Sequence, residues 1–264
     1  MNIVKRELRA NLKAFIIWSV AISLFMLVEM SGFKAYYNNP DMLAIFDTMD
    51  PRLLEAFKFN GIDLTTLIGF LSVLTTYIFL LLGIYAVLLG SSIISKEERS
   101  RTAEYLFTLP IKRTQVISSK LISAVINNFL ILIVTLVAIT IGALPYDVDY
   151  EYFEFIGLVA IAIFIVQLIF LSVGMLLASV IKRYKKSGSY AVAILLVTYI
   201  FSIIADLNHY LEFLKYFSPF SFFSGRYIVN NGALHLGYLA LSIVVIIISI
   251  IGTYYFYPKR DLRI

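Results

Sequence analysis

Cysteine is absent from this sequence of 264 residues, and histidine and charged residues are scarce. Without cysteine the chain can form no disulfide bond and offers no thiolate to a substrate or a metal. The two histidines, His209 and His235, have no partner at helical i, i+4 spacing, so we do not expect a metal site. Charged residues make up 15% of the chain. Soluble domains have about 25%, so an ordinary water-soluble fold is excluded.

The long uncharged stretches also lack the groups that catalysis needs. They contain no converging acid, base or activated nucleophile, and the carboxylate of Glu29 lies just after the first of them. Ion-driven transporters usually carry ionisable residues at membrane depth, which these stretches do not have. A G-x-x-x-x-G-K-[ST] phosphate-binding loop is missing as well. We therefore expect a non-catalytic membrane subunit that draws its energy from another protein.

Hydrophobic residues make up 60% of the chain and form six uncharged runs. A helix rising about 1.5 Å per residue crosses about 30 Å of hydrocarbon in roughly 20 residues, and five of the runs are long enough. The first run, Ala14 to Val28, is short and must borrow residues on both sides. No A-x-A cleavage site follows it, which favours an uncleaved anchor over a signal peptide. The predicted fold class is all-α, one polytopic membrane domain with six transmembrane helices at about 14–32, 66–95, 116–143, 154–181, 188–206 and 234–257.

Lysine and arginine are unevenly distributed between the predicted loops. Seventeen of the 22 lie at the two termini or beside the loops after the second and fourth runs. Only five lie in the alternate segments 33–65 and 207–233. Short cytoplasmic loops retain positive charge during insertion, so we expect both termini in the cytoplasm and these two segments outside the cell. The net charge of +5 is then explained by topology and attraction to anionic lipid, with no need for nucleic-acid binding.

The N-terminal segment, 1–13, is amphipathic. Helical spacing places Val4, Leu8 and Leu12 on one face, while basic residues such as Arg6 project from another. This pattern predicts a helix that lies in the inner membrane interface. The alternative is a positive flank that only directs insertion.

The segment 97–113 is dense in charges of both signs and lies between two long runs. Ser95 and Glu98 have the spacing of a capping box, which predicts a new helical turn where the second span leaves the lipid. Pro110 cannot continue a helix, so a short helix should end near Phe107. The apolar residues inside this charged segment indicate a partner surface.

Residues 97–113 read E-E-R-S-R-T-A-E-Y-L-F-T-L-P-I-K-R. This resembles the E-x-x-x-G-T-x-E-x-L-x-x-x-P-x-x-R pattern of permease subunits of ATP-binding-cassette (ABC) exporters of the type-2, six-span class. Arg101 stands where that pattern often has glycine. Met49 to Ser72 is similar to the family's segment before the second span, and Tyr216 to Gly232 and the final KRDL are similar to its outer turn and last cytoplasmic cap. The resemblance covers most of the chain. Within the class, it points to the peptide/toxin (phenol-soluble-modulin-like) or the drug exporter group.

The resemblance implies a permease dimer, homomeric or with a related chain, docked on two cytoplasmic ATPase subunits in a bacterial cell membrane. ATP and Mg²⁺ would bind those subunits, and this chain would hold no cofactor or metal. A cytoplasmic coupling helix would enter a groove of the ATPase. The residues assigned to that coupling are Glu97, Glu98, Arg99, Arg101, Thr102, Glu104, Tyr105, Leu106, Leu109, Pro110, Lys112 and Arg113. Secondary cytoplasmic contacts would come from Arg6, Arg9, Lys182, Arg183, Lys185 and Lys186.

Polar residues at membrane depth either line a pathway or join helices by hydrogen bonds. The pathway candidates are Thr76, Tyr77, Tyr85, Asn127, Asn128, Gln167 and Tyr199, and helix packing is the alternative for each. An uncharged aromatic lumen favours lipophilic or amphipathic cargo, as do the hydrophobic peptides or drugs that the resemblance implies. The alternatives are a permease of the same class that handles lipids or senses antibiotics, and a membrane scaffold without a pathway.

Overall fold

The computed structural model is helical throughout the residues that it describes, 2–56, 59, 61–100, 112–181 and 184–259, apart from short connections. Six of its helices are long and apolar enough to cross a membrane. They are α1 (Asn2–Phe33), α2 (Leu67–Ser100), α3 (Arg113–Ala143), α4 (Tyr150–Val180), α5 (Tyr184–Leu207) and α6 (Leu236–Phe256). The predicted all-α fold with six membrane-crossing helices is confirmed.

Short helices connect α1 to α2 and α5 to α6. The first connection contains Pro40–Asp47 and Pro51–Ala56, and the second contains a 3₁₀ helix, His209–Phe217, followed by Pro219–Phe222 and Gly225–Asn231. Three of these five helices begin at proline. Proline suits a helix start because the N–H that it lacks would have no partner in the helix there.

Successive long helices run in opposite directions, so the bundle has two ends. We call the end at which α1, α3 and α5 begin the termini end, and the other the opposite end. At the termini end the side chain of Lys120 on α3 reaches Glu97 on α2. At the opposite end the ring of Phe33 on α1 contacts that of Tyr146, just after α3.

Helices α2 and α4 form the centre of the bundle and are its most buried members. They cross closely at Gly90 and Gly174. A Cβ at Gly90 would overlap the carbonyl of Leu171, and a Cβ at Gly174 would overlap that of Val87. Around this pair α5 packs on α2, α6 packs on α4, and α1 packs mainly on α3. Glycine allows this approach because no side chain separates the two backbones.

The outer faces of the bundle expose large apolar side chains. Ile17 and Val28 on α1 are 58% and 66% exposed, and Ile248 and Ile251 on α6 are both 62% exposed. A water-soluble protein would bury side chains of this size, whereas a membrane protein presents them to lipid.

Helix α1 runs without a break from Asn2 to Phe33, so the predicted interfacial segment and the first span form one helix. Its first turns do not use the expected apolar face. Val4 and Leu8 are turned partly towards the bundle, but Leu12 is 51% exposed and Glu7 is fully buried. A glutamate takes the inward position because cations from two other helices surround it.

The predicted new helical turn at Ser95 is wrong. Helix α2 continues through this position to Ser100, and the Ser95 hydroxyl donates to the carbonyl of Ser91 at 2.8 Å. This is the bond of a mid-helix serine to the preceding turn, not that of a cap.

Candidate functional site

Five charged side chains from three helices meet at the termini end. Arg6 and Glu7 come from α1, Lys96 and Glu97 from α2, and Lys120 from α3. We call these five residues the ion network. Glu97 lies in the last turn of α2 and Lys120 two turns after the start of α3, on the two helices that flank the segment 101–111.

Lys120 is at the centre of the ion network and is fully buried. Its ammonium group donates to the two carboxylate oxygens of Glu97, at 2.7 and 2.8 Å, and to the carbonyl of Ile93. Glu7 Oε1 lies 3.6 Å from the same ammonium nitrogen. The contacts fix the end of α2 against the first turns of α3.

Glu7 joins α1 to the same centre. Its Oε2 accepts from the ammonium of Lys96 at 3.2 Å, and its Oε1 accepts from Arg6 Nη2 at 3.1 Å. Arg6 Nη2 also lies 3.5 Å from Glu97 Oε1. The side chain of Arg6 is 48% exposed, whereas that of Glu7 is fully buried. The ion network is therefore buried at its centre and exposed on the Arg6 side.

Such a network holds only while its members remain paired. Transferring a single ion into a low-dielectric interior costs several kcal/mol after relaxation, and removing one partner of a buried pair costs about 3–5 kcal/mol. Lys120, Glu97 and Glu7 are the members that depend most on one another. Arg6 is half-exposed, and solvent screens most of its contribution.

The helical period explains why these side chains point inward. Glu7 follows Val4 by three residues and precedes Asn11 by four, and all three face the bundle. Lys120 precedes Ser123 by three residues, on the buried face of α3. Each charge thus occupies an interior position of an otherwise apolar or weakly polar stripe.

The predicted coupling residues flank or occupy the segment between α2 and α3. Arg101, Thr102, Glu104, Tyr105, Leu106, Leu109 and Pro110 lie outside the described residues. Glu97 and Glu98 are 3% and 5% exposed, so their side chains are buried at the end of α2. Arg99 lies in the last turn of that helix.

On the far side of this segment, α3 begins with two fixed contacts. The backbone N–H of Lys112 donates to Gln115 Oε1 at 3.1 Å. Arg113 Nη1 donates to the carbonyl of Pro258 at 2.8 Å, which ties the start of α3 to the residues after α6. Contacts with other parts of the chain therefore hold both the end of α2 and the start of α3, which flank the segment 101–111.

The predicted secondary contacts are more scattered. Arg6 belongs to the ion network, while Arg9 and Lys186 are exposed at the same end. Lys185 lies in the first turn of α5. Lys182 and Arg183 lie outside the described residues. Helix α5 is joined to α2 nearby, where Ser91 Oγ donates to Ser187 Oγ at 3.0 Å.

Four of the predicted pathway residues are buried between helices. Tyr85 is 3% exposed and packs edge-on against Trp18 of α1, with ring centroids 5.7 Å apart. Asn127 donates to the carbonyl of Ser123 in its own helix at 2.9 Å. Asn128 and Gln167 are fully buried, and neither polar atom of either amide has a hydrogen-bond partner among the described residues. Buried amides without a hydrogen-bond partner are rare in folded proteins.

The other three pathway candidates lie nearer the opposite end. Thr76 lines a cavity of about 320 Å³ that also contains Lys215 and Arg226. Its neighbour Tyr77 lines a different groove, of about 540 Å³, between α1 and α2. Tyr199 packs edge-on against Phe220, with ring centroids 5.3 Å apart. Candidates that are adjacent in sequence thus face separate spaces.

Aromatic rings hold the opposite end together. Phe33 stacks on Phe70 at 4.6 Å and meets Tyr146 edge-on at 4.8 Å. The Tyr37 hydroxyl donates to Asp147 Oδ2 at 2.7 Å, and this bond to a carboxylate raises the pKa of Tyr37 above its usual value of 10.0. Deprotonation of the phenol would break that bond and place two negative charges together.

Sequence reasoning found Arg6 and Glu97 but missed Glu7 and Lys120 as functional candidates. The sequence argument compared the numbers of charged residues on the two sides of the membrane, which does not show whether a given charge is buried. One signal was available: Glu7 lies in the same helical stripe as Val4 and Asn11, so a buried counter-charge was needed.

Comparisons with known proteins agree with this architecture. The model of a family described as ABC-2 family transporter protein matches residues 1–262. A comparison with curated proteins gives no match. The family match spans almost the whole chain and coincides with six helices that are long and apolar enough to cross a membrane. This chain therefore belongs to the ABC-2 transporter family and is a multi-pass membrane permease.

Proposed function

We propose that this permease is the membrane-spanning part of an ABC exporter that moves hydrophobic or amphipathic cargo, peptides or drugs, out of the cell. Separate ATPase subunits, which bind ATP and Mg²⁺, drive the movement by docking on the segment 97–113. The observation that carries the proposal is the ion network, because it joins α1 to the two helices that flank that segment.

The contacts of the ion network favour transmission of force from the segment 101–111 to the helices beside it. The segment 101–111 joins α2 to α3, and the Glu97–Lys120 pair holds those helices together where the segment begins. Glu7 adds α1 to the same unit through Lys96. A force applied to the segment would reach α1, α2 and α3 together, because each buried charge moves with its partner. Alternating access needs such an element with two arrangements.

In this proposal the termini end is cytoplasmic and the opposite end is outside the cell. The excess of lysine and arginine at the termini end supports that orientation. Two permeases, identical or related, share the pathway. Glu104, Leu106 and neighbouring residues contact the ATPase, while Glu97 anchors the end of α2 inside the bundle.

The orientation has a direct test, because the chain has no native cysteine. Lys186→Cys places a thiol at the termini end, and Tyr210→Cys places one at a residue that is 91% exposed near the opposite end. A membrane-impermeant maleimide should label intact cells at position 210 alone. Labelling at position 186 and not at 210 would reverse the topology.

Docking is tested by copurification of the ATPase with the tagged permease. Leu106→Asp should abolish copurification, because a charge would enter the apolar part of the contact. Leu53→Asp is the matched control, since Leu53 is 49% exposed in a short helix before α2. Retention of the ATPase by Leu106→Asp would contradict the coupling assignment.

Cargo is tested with the assembled complex in liposomes. Amphipathic peptides should stimulate ATP hydrolysis and accumulate on the side of the opposite end. Stimulation by lipid alone would favour lipid handling, and an assembly with no stimulation and no accumulation would favour a scaffold.

A further inference from the structure

A groove lies between α1 and α2 in the half of the bundle nearer the opposite end. The two helices touch near their middles, where Trp18 meets Tyr85, and again near the opposite end, where Phe33 stacks on Phe70. Between these contacts lies the groove of about 540 Å³. Over its whole length α1 packs mainly on α3 and only a little on α2, which leaves room for the groove.

The walls of the groove are mostly apolar. Phe25 and Val28 come from α1, and Phe70, Val73 and Leu74 come from α2. Aromatic and branched side chains of this kind hold the apolar body of a ligand without fixing its exact shape.

One carboxylate interrupts the apolar lining. Glu29 is partly buried and lies four residues before the end of α1, about 6 Å along the helix axis at about 1.5 Å per residue. Tyr77 lines the same groove. The described residues that line the groove include no lysine, arginine or histidine. A carboxylate at this depth therefore faces an apolar space in which a cation would be stabilised.

The neighbouring groove gives the contrast. It lies between α1 and α3, has a volume of about 490 Å³, and contains Lys34 but no carboxylate among its lining residues. The two sides of α1 thus offer opposite charge in similar apolar surroundings. Charge, more than shape, distinguishes the first groove from the second.

We propose that the groove between α1 and α2 binds an amphipathic cation, with its apolar body against Phe25, Phe70 and Val73 and its positive group at Glu29. The occupant is cargo, and to that extent the inference rests on the proposed export function. Tyr77 supplies a hydroxyl beside the positive group, and Gly32 leaves the groove open next to Glu29. The binding itself requires neither ATP nor the partner subunit.

Two ions of almost the same shape and opposite charge test the assignment. Tetraphenylphosphonium and tetraphenylborate are measured by equilibrium binding to the full chain in lipid nanodiscs, with empty nanodiscs subtracted. The cation should bind saturably and the anion should not. Glu29→Gln should weaken binding of the cation at least about tenfold, which corresponds to about 1.4 kcal/mol.

The control carboxylate is Glu151, which lines a separate cavity at the same end. Glu151→Gln should leave binding of the cation unchanged. Equal affinity for the two ions, or unchanged affinity in folded Glu29→Gln, would overturn the proposal.

A second variant tests the groove without changing Glu29. A Cβ at Gly32 meets nothing within 4 Å, so Gly32→Leu fills the groove without an initial clash. It should abolish saturable binding while the helices stay folded, and full binding by Gly32→Leu would place the site elsewhere. Displacement of the bound cation by a synthetic Leu/Lys amphipathic peptide supports cargo. Displacement by a cationic bilayer lipid alone would overturn the assignment to cargo.

These results separate the two proposals. Loss of ATPase docking with intact binding of the cation would refute the export function alone. Absence of cation binding in a complex that docks and hydrolyses ATP would refute the groove alone.

Discussion

The two ends of the bundle join the same helices by different forces. At the termini end α1, α2 and α3 meet through paired charges, with Lys120 buried among carboxylates. At the opposite end the partners are aromatic rings and a phenol hydrogen bond, around Phe33 and Tyr37. Paired charges tolerate little loss, because each leaves a partner uncompensated. Aromatic contacts carry no net charge, so the loss of one ring leaves no uncompensated ion.

The largest expected effect comes from removing the central cation of the ion network. Lys120→Met should lower the free energy of unfolding by about 3–5 kcal/mol, because Glu97 loses its closest counter-charge in the interior. Titration with SDS from mixed micelles measures the change. Lys186→Met, at an exposed lysine of the same end, should stay within about 0.5 kcal/mol of the unsubstituted chain.

A double variant sharpens this result. Adding Glu97→Met to Lys120→Met removes both charges and should restore part of the lost stability, because an apolar pair needs no counter-ion. If the double variant were no more stable than Lys120→Met, pairing would not explain the cost of Lys120→Met.

A smaller loss of stability is expected from a substitution in one half of α4 than from Lys120→Met, and a matched substitution in the other half serves as its control. Gly174→Ala should cost about 1–3 kcal/mol, because its Cβ would overlap the carbonyl of Val87. Gly157→Ala has open space around the new atom and should be neutral or stabilising by up to about 1 kcal/mol. Thermal unfolding of both variants checks the difference. Similar losses at the two positions would show that α2 and α4 do not need the close approach near the termini end.

A still smaller loss is expected among the rings of the opposite end. Phe33→Leu keeps most of the buried volume but removes the stack on Phe70, and it should cost about 1–1.5 kcal/mol. The same SDS titration provides the measurement. A loss as large as that of Lys120→Met would remove the contrast between the ends.

The smallest effect is a pH dependence at Tyr37. Its pKa is raised by the bond to Asp147, so the folded state favours the protonated phenol. The stabilisation is complete below the pKa of the unfolded chain and is lost as pH rises through the higher folded value. The difference in unfolding temperature from Tyr37→Phe should therefore be constant near neutral pH and decrease above about pH 10. A difference that falls between pH 6 and 8 would contradict this assignment.

The six helices followed from run length and charge, because lipid leaves few other ways to satisfy a backbone. The start of α1 did not. Its charged first turns looked like a separate surface helix, but Glu7 is held inside by residues 89 and 113 positions away in sequence, Lys96 and Lys120. Pairings over such separations leave no periodic trace in a single sequence. The count of basic residues placed Lys96 and Lys120 on a common side without showing that one of them is buried.

The pathway candidates show a second limit. Residue type selected Thr76 and Tyr77 together, but neighbouring positions on a helix point about 100° apart, and the two residues face different spaces. Asn128 and Gln167 were selected for polarity, and only the structure shows that their amides are buried without partners. The direction in which a side chain points depends on which neighbouring helices pack where.

Because Trp18 packs against Tyr85, its fluorescence can report on the contact between α1 and α2. Trp18 is the one tryptophan of the chain, and it lies where α1 last touches α2 before the groove opens. Tryptophan emission therefore comes from a single known place, and its wavelength and quenching should depend on the spacing of these two helices. Changes in that spacing during a transport cycle could be followed in real time without attaching a dye.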